Sequence, residues 1–188
     1  MASIIVSEFV TLDGVAQDPG GVGETEQGGW AFRFERGPEG DHLKLEEVQT
    51  AAALLLGRVT YEGFAEAWPS RTGEFADLMN GMPKYVVSTT LTAAPWNNSA
   101  IIDTDVVARI TLLKRELEGD ILVAGSLRLV QTLIEYNLAD EYRLMVYPTV
   151  LGTGTRLFPN GGAPTDLCLA EVTQAGETVI LIYRTVER

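Results

Sequence analysis

The sequence predicts an α/β protein with a mixed, mostly parallel central sheet, flanking helices and a C-terminal antiparallel hairpin. Three observations carry this expectation. Ala51–Leu56 is an unbroken run of small and aliphatic residues, the pattern of a parallel strand buried on both faces. Apolar strand-like runs alternate with helical stripes as far as Tyr136, which implies parallel strands joined by crossovers. Beyond that point only strands remain, at Glu141–Pro148, Leu167–Gln174 and Thr178–Thr185, with Ala175-Gly176-Glu177 as a hairpin turn.

Taken in order, Ile4–Val10 reads as a first strand ending in the turn Thr11-Leu12-Asp13-Gly14. The stretch Asp18–Gly29 holds five glycines among polar residues and is expected to be a loop without packed anchors, mobile enough to act as a lid. His42–Thr50 is helical, with Leu43, Leu45 and Val48 apolar, and feeds the Ala53–Leu56 strand. A new helix follows, and Tyr85–Ser88 is a third strand. Val106, Ile110, Leu113 and Leu117 form a stripe in the helix Thr104–Leu117, which Thr104 is placed to cap. A further strand runs through Ile121–Ala124, and Val130, Leu133 and Ile134 make the apolar face of the helix Leu129–Tyr136.

The strand ends carry the chemistry. In Gly57-Arg58-Val59-Thr60 the glycine ends a buried strand, and Arg58 and Thr60 fall at a helix start. Unpaired amides and the positive end of the helix dipole make such a start an anion site, to which Arg58 adds a cation and Thr60 a hydroxyl. In Gly125-Ser126-Leu127-Arg128 the glycine lets backbone approach a pyrophosphate, and Ser126 either caps the helix or binds phosphate. Lys84 precedes the third strand, and Ser88 and Thr89 end it. Three strands ending in glycine or hydroxyl residues point to a dinucleotide lying across the carboxyl ends of one sheet. Each of these residues also has a plain reading as a turn or a solvated charge. Neither Gly21-Val22-Gly23 nor Gly152-Thr153-Gly154 has the third glycine of a Rossmann fingerprint.

The succession FVTLDGVAQD, LLLGRVTYEGF, KYVVSTTL and ILVAGSLRLVQTLIEYNLADEYRLMVYPTVLGTGTRLF resembles the dihydrofolate-reductase-like superfamily. It is most similar to the bacterial riboflavin-reductase branch, the C-terminal reductase domain of the deaminase/reductase of riboflavin synthesis, as a small stand-alone member. The resemblance runs from about Ser3 to Tyr183, and its most specific piece is Leu138–Phe158. It implies the three-layer fold of that superfamily, NADPH as cofactor, and a homodimer. The activity it implies is that of a 5-amino-6-(5-phosphoribosylamino)uracil reductase. Dihydrofolate reduction is the alternative within the class, and a non-catalytic nucleotide-binding module the alternative outside it. The turn at Gly125 has fewer glycines than a dihydrofolate reductase has there, and no evident set for a substrate phosphate stands out.

Hydride transfer also needs a proton. Asp41 lies sixteen residues before Gly57, about where dihydrofolate reductases carry an acidic residue beneath the substrate; burial there would raise its pKa into a useful range. It is equally suited to cap the helix. Asp13 matches the family's turn beside the nicotinamide, and an Asp-Gly turn is its plain reading. Trp30 and Phe34, with Phe32 between them, offer an aromatic wall for a heterocycle or, more simply, core cover. Tyr147 ends a strand near the presumed pocket.

Composition bounds the rest. At 188 residues, 46% hydrophobic and 21% charged, residues 1–188 are expected to form one globular domain. A net charge of −12 argues against a nucleic-acid surface, so an anionic cofactor needs a local basic site. One cysteine, Cys168, and one histidine exclude an internal disulfide and the familiar zinc sites, and the nucleobase-deaminase elements H-x-E and P-C-x-x-C are absent. Cys168 is expected in the core. Without a signal-like start or a membrane-length apolar run, the expected compartment is the cytoplasm.

Overall fold

Eight strands form one sheet in the order β4-β3-β2-β5-β1-β6-β8-β7 in the computed structural model, which describes residues 1–21, 23, 25–162 and 164–186. The elements in chain order are β1 (Ile4–Thr11), α1 (Gly37–Thr50), β2 (Ala51–Gly57), α2 (Arg58–Ala67), α3 (Glu74–Gly81), β3 (Lys84–Val87), β4 (Ser99–Ile102) and α4 (Val106–Glu116). They continue with β5 (Asp120–Ala124), α5 (Leu127–Glu135), β6 (Glu141–Tyr147), β7 (Leu167–Ala175) and β8 (Thr178–Thr185). All pairings from β4 to β6 are parallel, and β8 is antiparallel to both β6 and β7.

The side-chain alternation of the central strands explains their unbroken hydrophobicity. Ile4 and Val6 of β1, Leu55 of β2 and Ile121 and Val123 of β5 pack with Ile110 and Leu113 of α4 and Val130 and Leu133 of α5. Ile5, Leu54, Leu56 and Leu122 face the other way, against Val48 of α1, Tyr61 of α2 and Met79 of α3. Both faces are covered, so successive positions of β2, and Ile121–Val123 of β5, are apolar whichever way they point. A third cluster gathers Trp30, Leu43, Met145, Tyr147 and Ile180 at the carboxyl end of β6.

The strand register opens a crevice. β1 pairs with β5 only as far as Ser7↔Ala124, but with β6 as far as Thr11↔Tyr147. Past Ser7 the edge of β1 that faced β5 is therefore free, at the point where the crossovers leave in opposite directions. Ligands of open α/β sheets bind at such switch points.

The hairpin between β7 and β8 does not project freely. Its tip packs on the entry to α1: Glu177 N–H donates to Glu35 O at 2.8 Å, and Glu35 N–H donates to Glu177 Oε2 at 2.9 Å. Two glycines touch there. A Cβ on Gly37 would stand 2.8 Å from Gly176 N, and one on Gly176 would stand 2.7 Å from Gly37 N.

Several expectations need correction. Helix α1 starts at Gly37, with Pro38 in its first turn, rather than at His42. Helix α4 starts after Asp105, in the left-handed region at φ 46°, and Thr104 bonds Asp103 instead of capping the helix. Cys168 is exposed on β7, because only part of that edge strand is covered. Asp18 is buried, and its surroundings form a closed turn: Gly21 and Gly29 donate to its carbonyl, and Thr25 N–H donates to Oδ2 at 3.1 Å. Val22 and Glu24, which the lid expectation includes, lie outside the described residues. The short elements α3 and β4 were not anticipated.

Candidate active site

The two helix starts singled out by sequence lie against each other at the carboxyl ends of β2 and β5. Ser126 N–H donates to Thr60 Oγ1 at 2.8 Å, and Gly57 N–H donates to Ser126 Oγ at 2.9 Å. Each hydroxyl accepts a backbone proton from the opposite turn and keeps its own proton to donate. Neither N-cap residue, Gly57 nor Ser126, bonds its own helix through its side chain, so the first-turn amides of both helices remain available. Gly125 and Ser126 both take left-handed backbone, at φ 62° and 63°. A Cβ on Gly125 would meet Thr60 Oγ1 at 3.1 Å, so the glycine allows the close approach. This cradle of amides and hydroxyls with two positive helix ends fits a pyrophosphate.

The remaining cofactor candidates behave differently. Arg58 is half exposed at the rim and pairs along its own helix with Glu62 at 2.7 Å. Leu127 and Arg128 open α5, with Arg128 exposed. Ser88 Oγ accepts the amides of Thr90 and Leu91 at 3.2 and 2.9 Å, which shapes the turn after β3, while Thr89 is exposed. Lys84 does not belong to this site. It opens β3 at the opposite, amino end, with Nζ donating to the carbonyls of Asn80, Met82 and Asn97 and lying 4.2 Å from the Trp96 ring centroid. Burial pulls its pKa down to about 8.

Beside this crevice, at the carboxyl ends of β1 and β6, lies an aromatic cluster. Tyr147 is its hub, 5.3 Å from Phe9, 5.3 Å edge-on from Trp30 and 6.2 Å from Phe34 between ring centroids. Trp30 is completely buried and donates through Nε1 to Gln17 O at 2.8 Å; it is core, and no face of it is open to a ligand. Phe32 is 81% exposed, contrary to the core reading, whereas Phe34 and Phe9 are half-buried. The Tyr147 hydroxyl donates to Met145 Sδ at 3.3 Å, and burial pushes its pKa up to about 12.

Neither expected acid has the surroundings of one. Asp41 is not buried: its carboxylate faces solvent and pairs with Arg36 at 2.6 Å. Asp13 accepts Thr11 Oγ1 at 2.6 Å, and the amides of Leu151 and Gly152 at 3.3 and 2.8 Å. The Thr11 hydroxyl and these amides hold its carboxyl below the usual range. It ties the Leu151–Gly154 loop to the end of β1 as a fixed anion, which a proton donor cannot be. Sequence reasoning missed the polar group that Ser7 of β1 forms with Lys44 and Glu47 of α1, and the buried Glu8 on the other face of the strand. The signal was there: Ser-Glu interrupts the apolar run Ile4–Val10, and a strand covered on both faces must pair such residues internally.

The chain matches the RibD C-terminal domain family over residues 2–181. It belongs to that family. It is 30% identical over 175 residues to the uncharacterised protein YwjB of Bacillus subtilis, covering 93% of this chain and 92% of the relative. The fold matches a putative riboflavin biosynthesis protein from Shewanella sp. PV-4 with a TM-score of 0.76 at 18% identity, over 98% of this chain and 99% of that one. It also matches dihydrofolate reductase from Enterococcus faecalis, solved with NADP(H), with a TM-score of 0.59 at 15% identity, over 98% of this chain and 97% of that one. Membership of the RibD C-terminal domain family makes the protein a reductase-type domain with the dihydrofolate-reductase-like fold. Among the described residues no helix is long and apolar enough to cross a membrane.

Proposed function

We propose that the protein is an NADPH-dependent reductase of a ribosylaminopyrimidine, acting on 5-amino-6-(5-phosphoribosylamino)uracil or a close relative. The observation that carries this reading is the mutual bracing of the turns Gly57–Thr60 and Gly125–Leu127 by Thr60 and Ser126, beside the gap between β1 and β5. The first-turn amides and the two hydroxyl protons would hold the pyrophosphate, and Arg58, released from Glu62, would meet the additional phosphate of NADPH. The bound dinucleotide supplies the hydride. Phe9 and Phe34, half-buried and backed by the buried Tyr147, would wall the substrate and exclude water.

Dihydrofolate is the less suitable substrate. The carboxylate on α1 that would grip a pterin, Asp41, is turned outward to Arg36. The same reading takes the protein as a cytoplasmic homodimer, whose partner covers Leu169, Val172 and Val179 on the exposed side of β7 and β8.

Anaerobic assays of NADPH oxidation with the aminouracil substrate, with dihydrofolate and with neither test the reading. Saturable oxidation with the aminouracil supports it. Turnover of dihydrofolate alone identifies a dihydrofolate reductase, and tight NADPH binding without turnover of either identifies a nucleotide-binding module.

A further inference from the structure

Between β1 and α1 the protein buries charges that the proposed function leaves without a role. Ser7 and Glu8 on β1 and Glu47 on α1 are all buried. Ser7 Oγ donates to both oxygens of Glu47, at 2.8 and 2.9 Å. Lys44 Nζ donates to Ser7 Oγ at 2.5 Å and to Glu47 Oε2 at 3.1 Å, and stands 4.9 Å from the Phe9 ring centroid. The Lys44 side chain keeps 14% of its surface exposed, against 2% for Glu47. An ammonium has three N–H donors; two are engaged, leaving the third uncommitted beside the half-buried Phe9 ring.

Burying a lysine and a glutamate in a core is unfavourable unless they are paired, and even a paired group is often no more stable than an apolar replacement. A lysine fixed in one position by a serine and a glutamate, on the face of α1 that meets β1, is an arrangement suited to chemistry. Glu8 shares the opposite face of β1 with Val6 and Val10. Burial drives its carboxyl well above the usual range, Lys44 opposing and Glu47 adding to the shift. Among the described residues Glu8 Oε1 has no hydrogen-bond partner, and the ion pair of Lys44 is with Glu47.

We propose that Lys44 is the proton donor to the substrate and that Ser7 and Glu47 are its positioning residues. The inference rests on the reductase reading above. When hydride reaches the carbon of a C=N bond, in the ring-opened imine form of the ribosylamine, a C–H bond forms and the π pair moves to nitrogen. Lys44 Nζ–H breaks, an N–H bond forms on the substrate, and the neutral amine regains a proton from water through its exposed edge. The reductant is the dinucleotide already named, and substrate nitrogen and Nζ exchange one proton. The site therefore favours imines and carbonyls, in which negative charge develops on one heteroatom.

The test uses the wild-type protein, Lys44→Met and Lys44→Arg, each checked by thermal melting and by NADPH fluorescence titration. With 5-amino-6-(5-phosphoribosylamino)uracil, Lys44→Met should lower kcat 100-fold or more, within the range for loss of a general acid, and leave the NADPH affinity unchanged. Lys44→Arg keeps the charge but holds its proton, so it should restore KM and leave kcat low. Calorimetry of the aminouracil on cofactor-free protein should show weaker binding to Lys44→Met and recovery in Lys44→Arg. If Lys44→Met fails to fold, Lys44→Ala rescued by millimolar ethylamine replaces it. Unchanged kcat in a folded Lys44→Met overturns the role of Lys44 and leaves the reductase reading intact. A wild-type protein that binds NADPH but turns over neither the aminouracil nor simple imines and carbonyls overturns both.

Discussion

Thr60 and Ser126, 66 residues apart in the chain, are joined by a 2.8 Å hydrogen bond from the Ser126 amide to the Thr60 hydroxyl. The Ser126 hydroxyl in turn receives the amide of Gly57, the residue that caps the helix carrying Thr60. The two helix starts are consequently set relative to one another before any ligand arrives, and ordering them need not be part of the binding free energy.

Breaking this link should therefore reduce both stability and affinity. Thr60→Ala and Ser126→Ala are each expected to lose about 1 kcal/mol of stability, the usual net value of one hydrogen bond. The double variant should lose less than the sum, since both remove parts of one brace. Gly125→Ala adds a Cβ at positive φ next to Thr60 and should cost about 1–2 kcal/mol. Urea denaturation and NADPH titration measure the two effects; full additivity would show that the turns are independent.

Arg58 and Glu62 make the opposing case, in which an existing pair competes with a ligand. Arg58→Ala should weaken NADPH binding by about 1–3 kcal/mol, as expected for a lost charged hydrogen bond, and affect NADH much less. Glu62→Gln frees the guanidinium and should tighten NADPH. An unchanged NADPH affinity in Arg58→Ala would remove Arg58 from the phosphate site.

Asp13 and Asp41 should separate under acid. The folded-state pKa of Asp13 is depressed by Thr11 and the amides of the Leu151–Gly154 loop. Its contribution to stability is therefore present above the unfolded-state pKa and lost as pH falls through the folded one. Relative to wild type, Asp13→Asn should be less stable at pH 7, with the gap closing below about pH 4. Asp41→Asn, exposed and paired only with Arg36, should change stability by less than about 0.5 kcal/mol and leave kcat within a few-fold. A large fall in kcat for Asp41→Asn would return the acid role to it.

Lys84 gives the opposite sign. Its folded-state pKa lies at about 8, below the model-peptide value of 10.5, so the unfolded chain binds more protons between those pH values. Wild-type stability should rise relative to Lys84→Met as pH increases from 8 to 10. A flat difference across that range would mean that the three carbonyls and the Trp96 ring hold the ammonium fully charged.

The strand-only segment from β6 onward exposes Leu169 and Val172 on an edge strand. Light scattering at micromolar concentration should give a mass near twice 20.4 kDa, and Val172→Lys should shift the protein towards monomer. A mass of 20.4 kDa that persists on concentration would reject the dimer.

Hydrophobic pattern made the sheet legible, because β2 and β5 are apolar for a geometric reason that leaves few alternatives. It also revealed Gly57 and Gly125, whose position at strand ends is a local matter. The four residues of β4 and the eight of α3 were too short to produce a period. The charged group around Lys44 was hidden for a different reason. Ser7 and Lys44 meet only through the packing of α1 on β1, and nothing in the linear order of either element marks the other as its partner. Asp41 faces solvent because each residue along a helix turns the side chain by about 100°, and its distance from Gly57 says nothing about that rotation.

The contact between Gly37 and Gly176 has a consequence for how this architecture can vary. A hairpin tip is ordinarily the cheapest place in a protein to lengthen or decorate, yet here the last turn of the chain is wedged against the entrance of the first helix. A residue added at that tip would have to displace the backbone at Glu35–Gly37, where no room is left between the two segments. The length of the last hairpin and the path of the chain into α1 are thereby tied together, and neither can change in this architecture without the other.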